Sequence, residues 1–391
     1  MTSGARMAAA IGVLERYLAG FAVEQALTNW GRANRYAGSG DRHAVRDLVF
    51  DAVRCRRSFA ALGGAETGRG LVIGLMRAAR LSADDLFDGQ GYAPQPLTAD
   101  ERLAGRLSAE LSETETLDCP DWLAPALRAA LGGDFAAVMR ALQHRAPVFL
   151  RVNLARISRE AAAGQLAREG IICRAHPLAM SALEVVEGAR KVAGSASYTG
   201  GLVELQDAAS QAVVEALPLT DGLRVLDFCA GGGGKTLAMA ARARLELFAH
   251  DAAPARLADL PTRAARAGAR VTVLPSGGLR AKAPFDLVLA DVPCSGSGAW
   301  RRSPEGKWAL TPQMLAGLCA TQAAILDAAA ALVAHLGHLA YVTCSLLDTE
   351  NGAQVAAFVA RHPGFSLQMS RALTPLQGGD GFHVAILRRT T

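Results

Sequence analysis

The spacing of apolar residues changes twice along the chain. Through 8–30, 43–62, 70–80 and 121–145 they recur three and four apart, the period of helices with one buried face. Gly38-Ser-Gly-Asp41 and Gly63-Gly64 punctuate these runs, and Asp41 and Ser82 are suited to cap helix starts. Residues 86–99, with Gly89, Gly91, Pro94 and Pro96, read as loop. From Pro147 the pattern alternates: 148–153 predicts a strand, 158–169 a helix and 183–186 a second strand. Beyond about residue 201, short apolar runs at 224–229, 245–249, 271–274, 285–291 and 339–343 are separated by helical patterns, among them 236–244 and 312–335. The chain is therefore expected to hold an all-helical region (1–145), a small α+β module (146–200) and an α/β domain with a mostly parallel, doubly wound sheet (201–391).

Composition adds limits. The 391 residues are 51% hydrophobic with a net charge of +5, which permits nucleic-acid binding without requiring it. Arginines crowd residues 1–80 and acids crowd 84–118, so a phosphate-facing surface and an ordinary solvated helical face both fit the first helices. Arg151 and Asn153 on the first strand admit the same two readings. The seven cysteines are scattered without a C-x-x-C pair, arguing against a disulfide framework or a zinc site and for a reducing cytoplasm. No apolar stretch is long enough to span a membrane. A monomer is expected.

The chemistry gathers in the α/β region. Asp227-Phe-Cys-Ala-Gly-Gly-Gly-Gly-Lys-Thr236 joins a strand to a helix. A dinucleotide fingerprint fits poorly, because Thr236 stands where its last glycine belongs. A P-loop fits at Gly234-Lys235-Thr236 but needs a glycine where Cys229 lies. A loop for S-adenosylmethionine (SAM) needs the glycines and no phosphate cradle. Asp251, about 20 residues on at the next strand end, is placed to accept from ribose hydroxyls, or to cap the following helix. Two thiols follow strands at the same sheet edge: Cys294 in Asp291-Val-Pro-Cys-Ser-Gly-Ser-Gly298 and Cys344 in Tyr341-Val-Thr-Cys-Ser345. Only four of the 41 basic residues are lysine, and two of them, Lys235 and Lys307, fall in these segments.

Together these motifs, with Arg301-Arg-Ser-Pro-Glu-Gly-Lys-Trp308 and Tyr341-Val-Thr-Cys-Ser-Leu-Leu-Asp-Thr-Glu-Asn351, resemble the Sun/Fmu-type RNA cytosine-5 methyltransferases, the ribosomal RNA small subunit methyltransferase B-like family. Gly201–211 is similar to the segment opening their catalytic domain and Gly378-Gly-Asp-Gly-Phe382 to their terminal strand, so the resemblance covers roughly 148–391. The helical region resembles, more loosely, a NusB-like RNA-binding domain. The resemblance implies a Rossmann-like class I SAM-dependent methyltransferase domain and an RNA substrate, ribosomal RNA ranked ahead of transfer RNA. It implies no metal and no membrane. By resemblance Cys344 is the nucleophile that adds to cytosine carbon 6, Cys294 assists its release, Asp291 holds the cytosine edge and Lys235 contacts the base. The cofactor is expected against Cys229, Ala230, Gly231, Gly232, Gly233, Gly234, Lys235, Asp251, Arg256, Ser276 and Asp291. Arg301, Arg302 and Lys307 are expected along the RNA backbone. A P-loop NTPase and an inactive RNA-binding homologue remain as alternatives.

Two departures stand out. The family usually carries Ala-Pro at Gly231-Gly232, and an acid near Leu274-Pro-Ser-Gly-Gly278, where Ser276 is the expected substitute. Cys229 and Cys319 read as structural, His383 as a packing variant, and Glu350-Asn351 as residues that cap or orient the loop after Cys344.

Overall fold

A computed structural model describes residues 1–390, which fall into two units. The first comprises Met1–Arg145 with Trp300–Ala309. It is helical, with helices Ser3–Leu18, Val23–Ala33, Ser39–Arg54, Arg56–Gly63 and Gly68–Ala78 around a core that includes Leu14, Val49 and Leu71. The run expected over 8–30 is two helices, because the chain turns at Gly20 with φ +97°. The run over 121–145 likewise divides at Gly132, φ +54°, into Ala124–Leu131 and Phe135–Leu142.

Residues 300–309 lie in sequence between two elements of the α/β region yet belong to the helical unit. Glu305 Oε1 accepts the Val23 N–H (2.7 Å), the first of a helix without any side-chain cap of its own. Trp308 Nε1 donates to the Val53 carbonyl (2.6 Å) and Lys307 Nζ to the Arg54 carbonyl (2.9 Å).

The second unit, Ala146–Ala299 with residues from Leu310 onward, holds two sheets. The small one has order β2-β3-β1-β4 and antiparallel pairs, formed by β1 (Val148–Val152), β2 (Ile172–Ala175), β3 (Ala182–Glu187) and β4 (Val203–Leu205). β4 lies beyond residue 200, where the module was expected to end. The module shares a core with the larger sheet through Phe149, Ala182, Ala208 and Ala212. Arg151 and Asn153 fit neither surface reading, since β1 is covered. Arg151 donates to Gln206 Oε1 and to the Gly234 carbonyl, and Asn153 to the Gly201 and Ala267 carbonyls.

The larger sheet has order β10-β11-β9-β8-β5-β6-β7. Its strands are β5 (Arg224–Asp227), β6 (Glu246–Ala249), β7 (Thr272–Val273), β8 (Phe285–Asp291), β9 (Val333–Thr343), β10 (Phe365–Leu373) and β11 (Phe382–Arg389). The five strands β5 to β9 pair in parallel, β11 joins β9 antiparallel, and β10 pairs antiparallel with β11 at that edge. Continuous apolar runs form the central strands because both faces are covered. Leu287 and Leu289 enter one core and Val288 and Ala290 the other. Strand order reverses between β5 and β8, which opens a crevice at their carboxyl ends. No helix among the described residues is long and apolar enough to cross a membrane.

Candidate active site

Four strand ends, those of β5, β6, β8 and β9, supply this crevice. After β5 the chain enters the glycine loop, where Gly231 and Gly233 take φ of +53° and +79°. The left-handed φ of Gly233 favours glycine, and a Cβ there would also push Leu260 Cδ1, 2.3 Å away, aside. Asp251, after β6, ties the loop down. Its Oδ2 accepts the Gly231 N–H (2.9 Å) and the Arg256 guanidinium (3.0 Å), and its Oδ1 accepts the Ala253 N–H (2.9 Å). Three donors leave one lone-pair position for a ribose hydroxyl. Asp251 does not cap the following helix, which starts at Pro254 after Ala253 without a side-chain cap; its carboxylate instead braces the turn between Gly231 and Ala253. Gly232 stands exposed at the tip, its carbonyl held by Arg263.

Asp227 was read from sequence only as the head of the motif. It is buried at the end of β5, with Oδ2 accepting from Thr236 Oγ1 (2.6 Å) and no hydrogen-bond partner for Oδ1. Burial, with Asp291 and Asp251 nearby, pushes its carboxyl up to about 7 against the opposing Thr236 bond and Lys235 charge. An orphaned acceptor beside a glycine loop fits a ligand that brings a donor, such as an ammonium.

After β8 and β9 come the two thiols. Cys294 Sγ and Cys344 Sγ lie 3.3 Å apart, both half-buried. Either sulfur can donate across this contact; the bond to Cys294 holds the Cys344 thiol below its usual value against burial and the Asp291 charge, with Lys235 on the lowering side. The same bond, burial and the Glu350 charge push Cys294 well up. One sulfur is set up as the anion and the other as its proton-bearing neighbour. Lys235 Nζ pairs with Asp291 Oδ2 (2.6 Å) and lies 5.0 Å from the centre of the Phe382 ring. Although buried, this lysine holds its proton more firmly than usual, because Asp291 outweighs desolvation.

The structure thus gathers Lys235, Asp291, Cys294 and Cys344 at one edge, with Cys229, Ala230 and Gly231–234 beside them. Arg256 is exposed on its bond to Asp251. Ser276 is exposed and its hydroxyl meets His250 Nε2 (3.0 Å), while His250 Nδ1 meets the Phe228 carbonyl (2.7 Å). Two residues expected along RNA are corrected. Lys307 and Arg301 are 1% and 5% exposed within the helical unit, where Lys307 also faces the buried carboxyl of Asp118. Desolvation lowers the Lys307 ammonium, the reverse of a free phosphate-binding lysine. Arg302 is exposed.

Glu350 is fully buried and bridges the segments after both thiols, and Asn351 Nδ2 holds the Ser345 carbonyl (2.9 Å). His383 packs edge-on to Tyr341, and burial lowers its imidazole to about 4. Cys229 is pushed up to about 12 by burial and neighbouring acids, which keeps it an inert thiol.

A mostly parallel sheet with its switch point at a glycine loop, flanked by paired thiols, defines a Rossmann-like methyltransferase fold. Solved structures agree on that fold. PH0851 superposes with TM-score 0.75 at 20% identity, covering 100% of this chain and 99% of its own. A methyltransferase homologue from Pyrococcus horikoshii gives 0.62 at 22% identity over 73% of this chain and all of its own. NSun6 from the same organism, solved with SFG, gives 0.61 at 18% identity over 70% of this chain and 98% of its own. Residues 214–388 match the family described as 16S rRNA methyltransferase RsmB/F, and 119–192 match the ferredoxin-like domain of RsmF/B-like methyltransferases. Among curated relatives, the ribosomal RNA small subunit methyltransferase B of Salmonella arizonae is 32% identical over 71% of this chain and 68% of its own length. That of Erwinia tasmaniensis is 33% identical over 68% of this chain, and the match spans 66% of its length. The chain belongs to the RsmB/F methyltransferase family.

Proposed function

We propose that this protein transfers a methyl group from SAM to carbon 5 of a cytosine in RNA, with ribosomal RNA as the favoured substrate and transfer RNA as the second. The reading is carried by the 3.3 Å thiol pair beside the Lys235–Asp291 ion pair. Bound SAM supplies an electrophilic methyl group. Carbon 5 of cytosine is too weak a nucleophile to take it unaided. The Cys344 thiolate adds to carbon 6 and makes carbon 5 enamine-like, while Asp291 holds the N3 and amino edge and Lys235 stabilises the charge there. Departing Cys344 takes the Cys294 proton, and the Cys294 sulfur so freed takes the carbon 5 proton, which restores the ring. The target base must leave its stack to reach this crevice.

The residues fit SAM on three counts: the glycine cradle, the open lone pair of Asp251 and the orphaned Oδ1 of Asp227. SFG in the NSun6 structure is a SAM analogue, which supports this reading. Exposed Arg302 remains the proposed RNA contact of its segment. Transfer of labelled methyl from SAM to cytosine in total RNA, with SAM bound and ATP not bound, is the expected outcome. ATP binding without SAM binding would favour the NTPase, and SAM binding with silence in every RNA pool the inactive homologue.

The Asp227 carboxyl gives this reading a pH signature. Its value is raised to about 7, so it is neutral below that pH and ionised above it. An ionised Asp227 attracts the SAM ammonium. SAM affinity should therefore rise roughly tenfold as pH climbs through about 7, the scale of one charge-assisted hydrogen bond. Asp227→Asn should flatten that profile in a calorimetric titration. An unchanged profile would remove Asp227 from the cofactor site.

A further inference from the structure

We propose that Glu350 is the positioning residue that clamps the two cysteine loops together and makes Cys344, rather than Cys294, the attacking thiol. The proposal rests on the methyltransferase reading for its consequence, but its geometry stands independently. Glu350 is 0% exposed. Its Oε1 accepts the Ser295 N–H (2.8 Å) and Gln322 Nε2 (3.0 Å), and its Oε2 accepts the hydroxyls of Ser295 and Ser345 (2.5 Å each). Four donors thus meet the four lone-pair positions of one carboxylate, and among the described residues no cation pairs with it.

The clamp reaches both thiols by one peptide step. Ser295 follows Cys294, and Ser345 follows Cys344. Gln322, buried on the helix Pro312–Ala330, also donates to the Pro293 carbonyl (3.0 Å), on the other side of Cys294. Tyr341 Oη fixes the clamp from β9 by donating to the Glu350 carbonyl (2.6 Å). Ser297 Oγ lies 3.1 Å from Ser345 Oγ and accepts the Leu346 N–H (2.8 Å), and the Gly298 N–H donates to the Cys344 carbonyl (2.9 Å). The two loops are therefore one hydrogen-bonded body whose centre is Glu350.

The clamp also makes the pair asymmetric. The charged groups acting on Cys344 are Cys294, Asp291, Lys235 and Asp380, and Lys235 alone among them is a cation. Those acting on Cys294 are Cys344 and Glu350, both anionic when ionised. Glu350 accepts both the N–H and the hydroxyl of Ser295 but only the hydroxyl of Ser345, so its charge bears more on Cys294 and keeps the shared proton there. The negative charge is left on Cys344, beside the lysine. Either sulfur could otherwise carry it, because they are 3.3 Å apart.

The test is Glu350→Gln, whose amide must turn an N–H toward a donor. Alkylation by iodoacetamide, mapped by mass spectrometry between about pH 6 and 9, reports thiolate character without RNA or SAM. In the unmodified protein Cys344 is alkylated first. In Glu350→Gln the preference is lost and the Cys344 profile moves to higher pH, because Cys294 now competes for the charge. Methyl transfer should fall roughly 100-fold in kcat with less than threefold change in SAM affinity, the pattern of misplaced reacting groups. If Glu350→Gln does not fold, Ser295→Ala removes the hydroxyl beside Cys294 and should shift alkylation the same way with roughly a tenfold loss in kcat. Unchanged Cys344 selectivity in the folded variant overturns the proposal. A native protein that methylates no RNA but loses Cys344 selectivity in the variant overturns the methyltransferase reading and leaves the clamp intact.

Discussion

Replacing Cys344 with alanine abolishes methyl transfer, whereas Cys294→Ala leaves the protein covalently joined to its RNA. The expectation follows from the unequal surroundings of two sulfurs 3.3 Å apart. The bond to Cys294 and the Lys235 charge both lower the Cys344 thiol, which is why Cys344 is the proposed nucleophile. Without it, carbon 5 of cytosine lacks activation, and the rate should fall by at least ~10⁴, as for other lost nucleophiles. Cys294 is held protonated by Cys344, burial and Glu350, which suits it to the step in which Cys344 departs. Its loss should spare the addition and block the release. A denaturing gel of labelled RNA then shows a shifted band for Cys294→Ala and none for Cys344→Ala. The reverse pattern would exchange the two roles.

The second large effect is expected at Asp291. Its Oδ2 lies 2.6 Å from Lys235 Nζ, and its side chain is 31% exposed at the carboxyl end of β8, open to the crevice. Lys235 is buried with its ammonium sustained mainly by that carboxylate. Asp291→Asn removes the group proposed to hold the cytosine edge and also takes from the buried Lys235 cation its ion-pair partner. Methyl transfer should drop by roughly 10³, the scale of losing one preorganised stabilising group. In a Cys294→Ala background the same change should prevent the RNA adduct from accumulating, because addition itself is impaired. An adduct that still forms at full rate would confine Asp291 to a structural part.

The sheet was legible because burial on both faces writes long apolar runs, as in Phe285-Asp-Leu-Val-Leu-Ala-Asp291. β2 and β10 were not, since both are mostly solvent-facing edge strands, with Ile172 43% and Leu367 46% exposed. The thiols, Lys235, Asp291 and Asp251 could be found because each follows a strand or loop with its own local pattern. Partners remote in sequence could not. Glu350 meets Ser295 across 55 residues, and Lys307 meets Arg54 across 253, so a motif read locally as an RNA contact proves to be a buried plug in the helical unit. Arg151 and Asn153 were misread for the same reason: what covers β1 comes from the loops near Gly201, Gly234 and Ala267.

The central claim is that Cys344 forms the bond to cytosine. Digestion of the Cys294→Ala adduct followed by tandem mass spectrometry reads that bond directly. The account predicts a methylated cytosine nucleotide on the peptide containing Cys344. A nucleotide found on any other cysteine, or an adduct formed by Cys344→Ala, would contradict it.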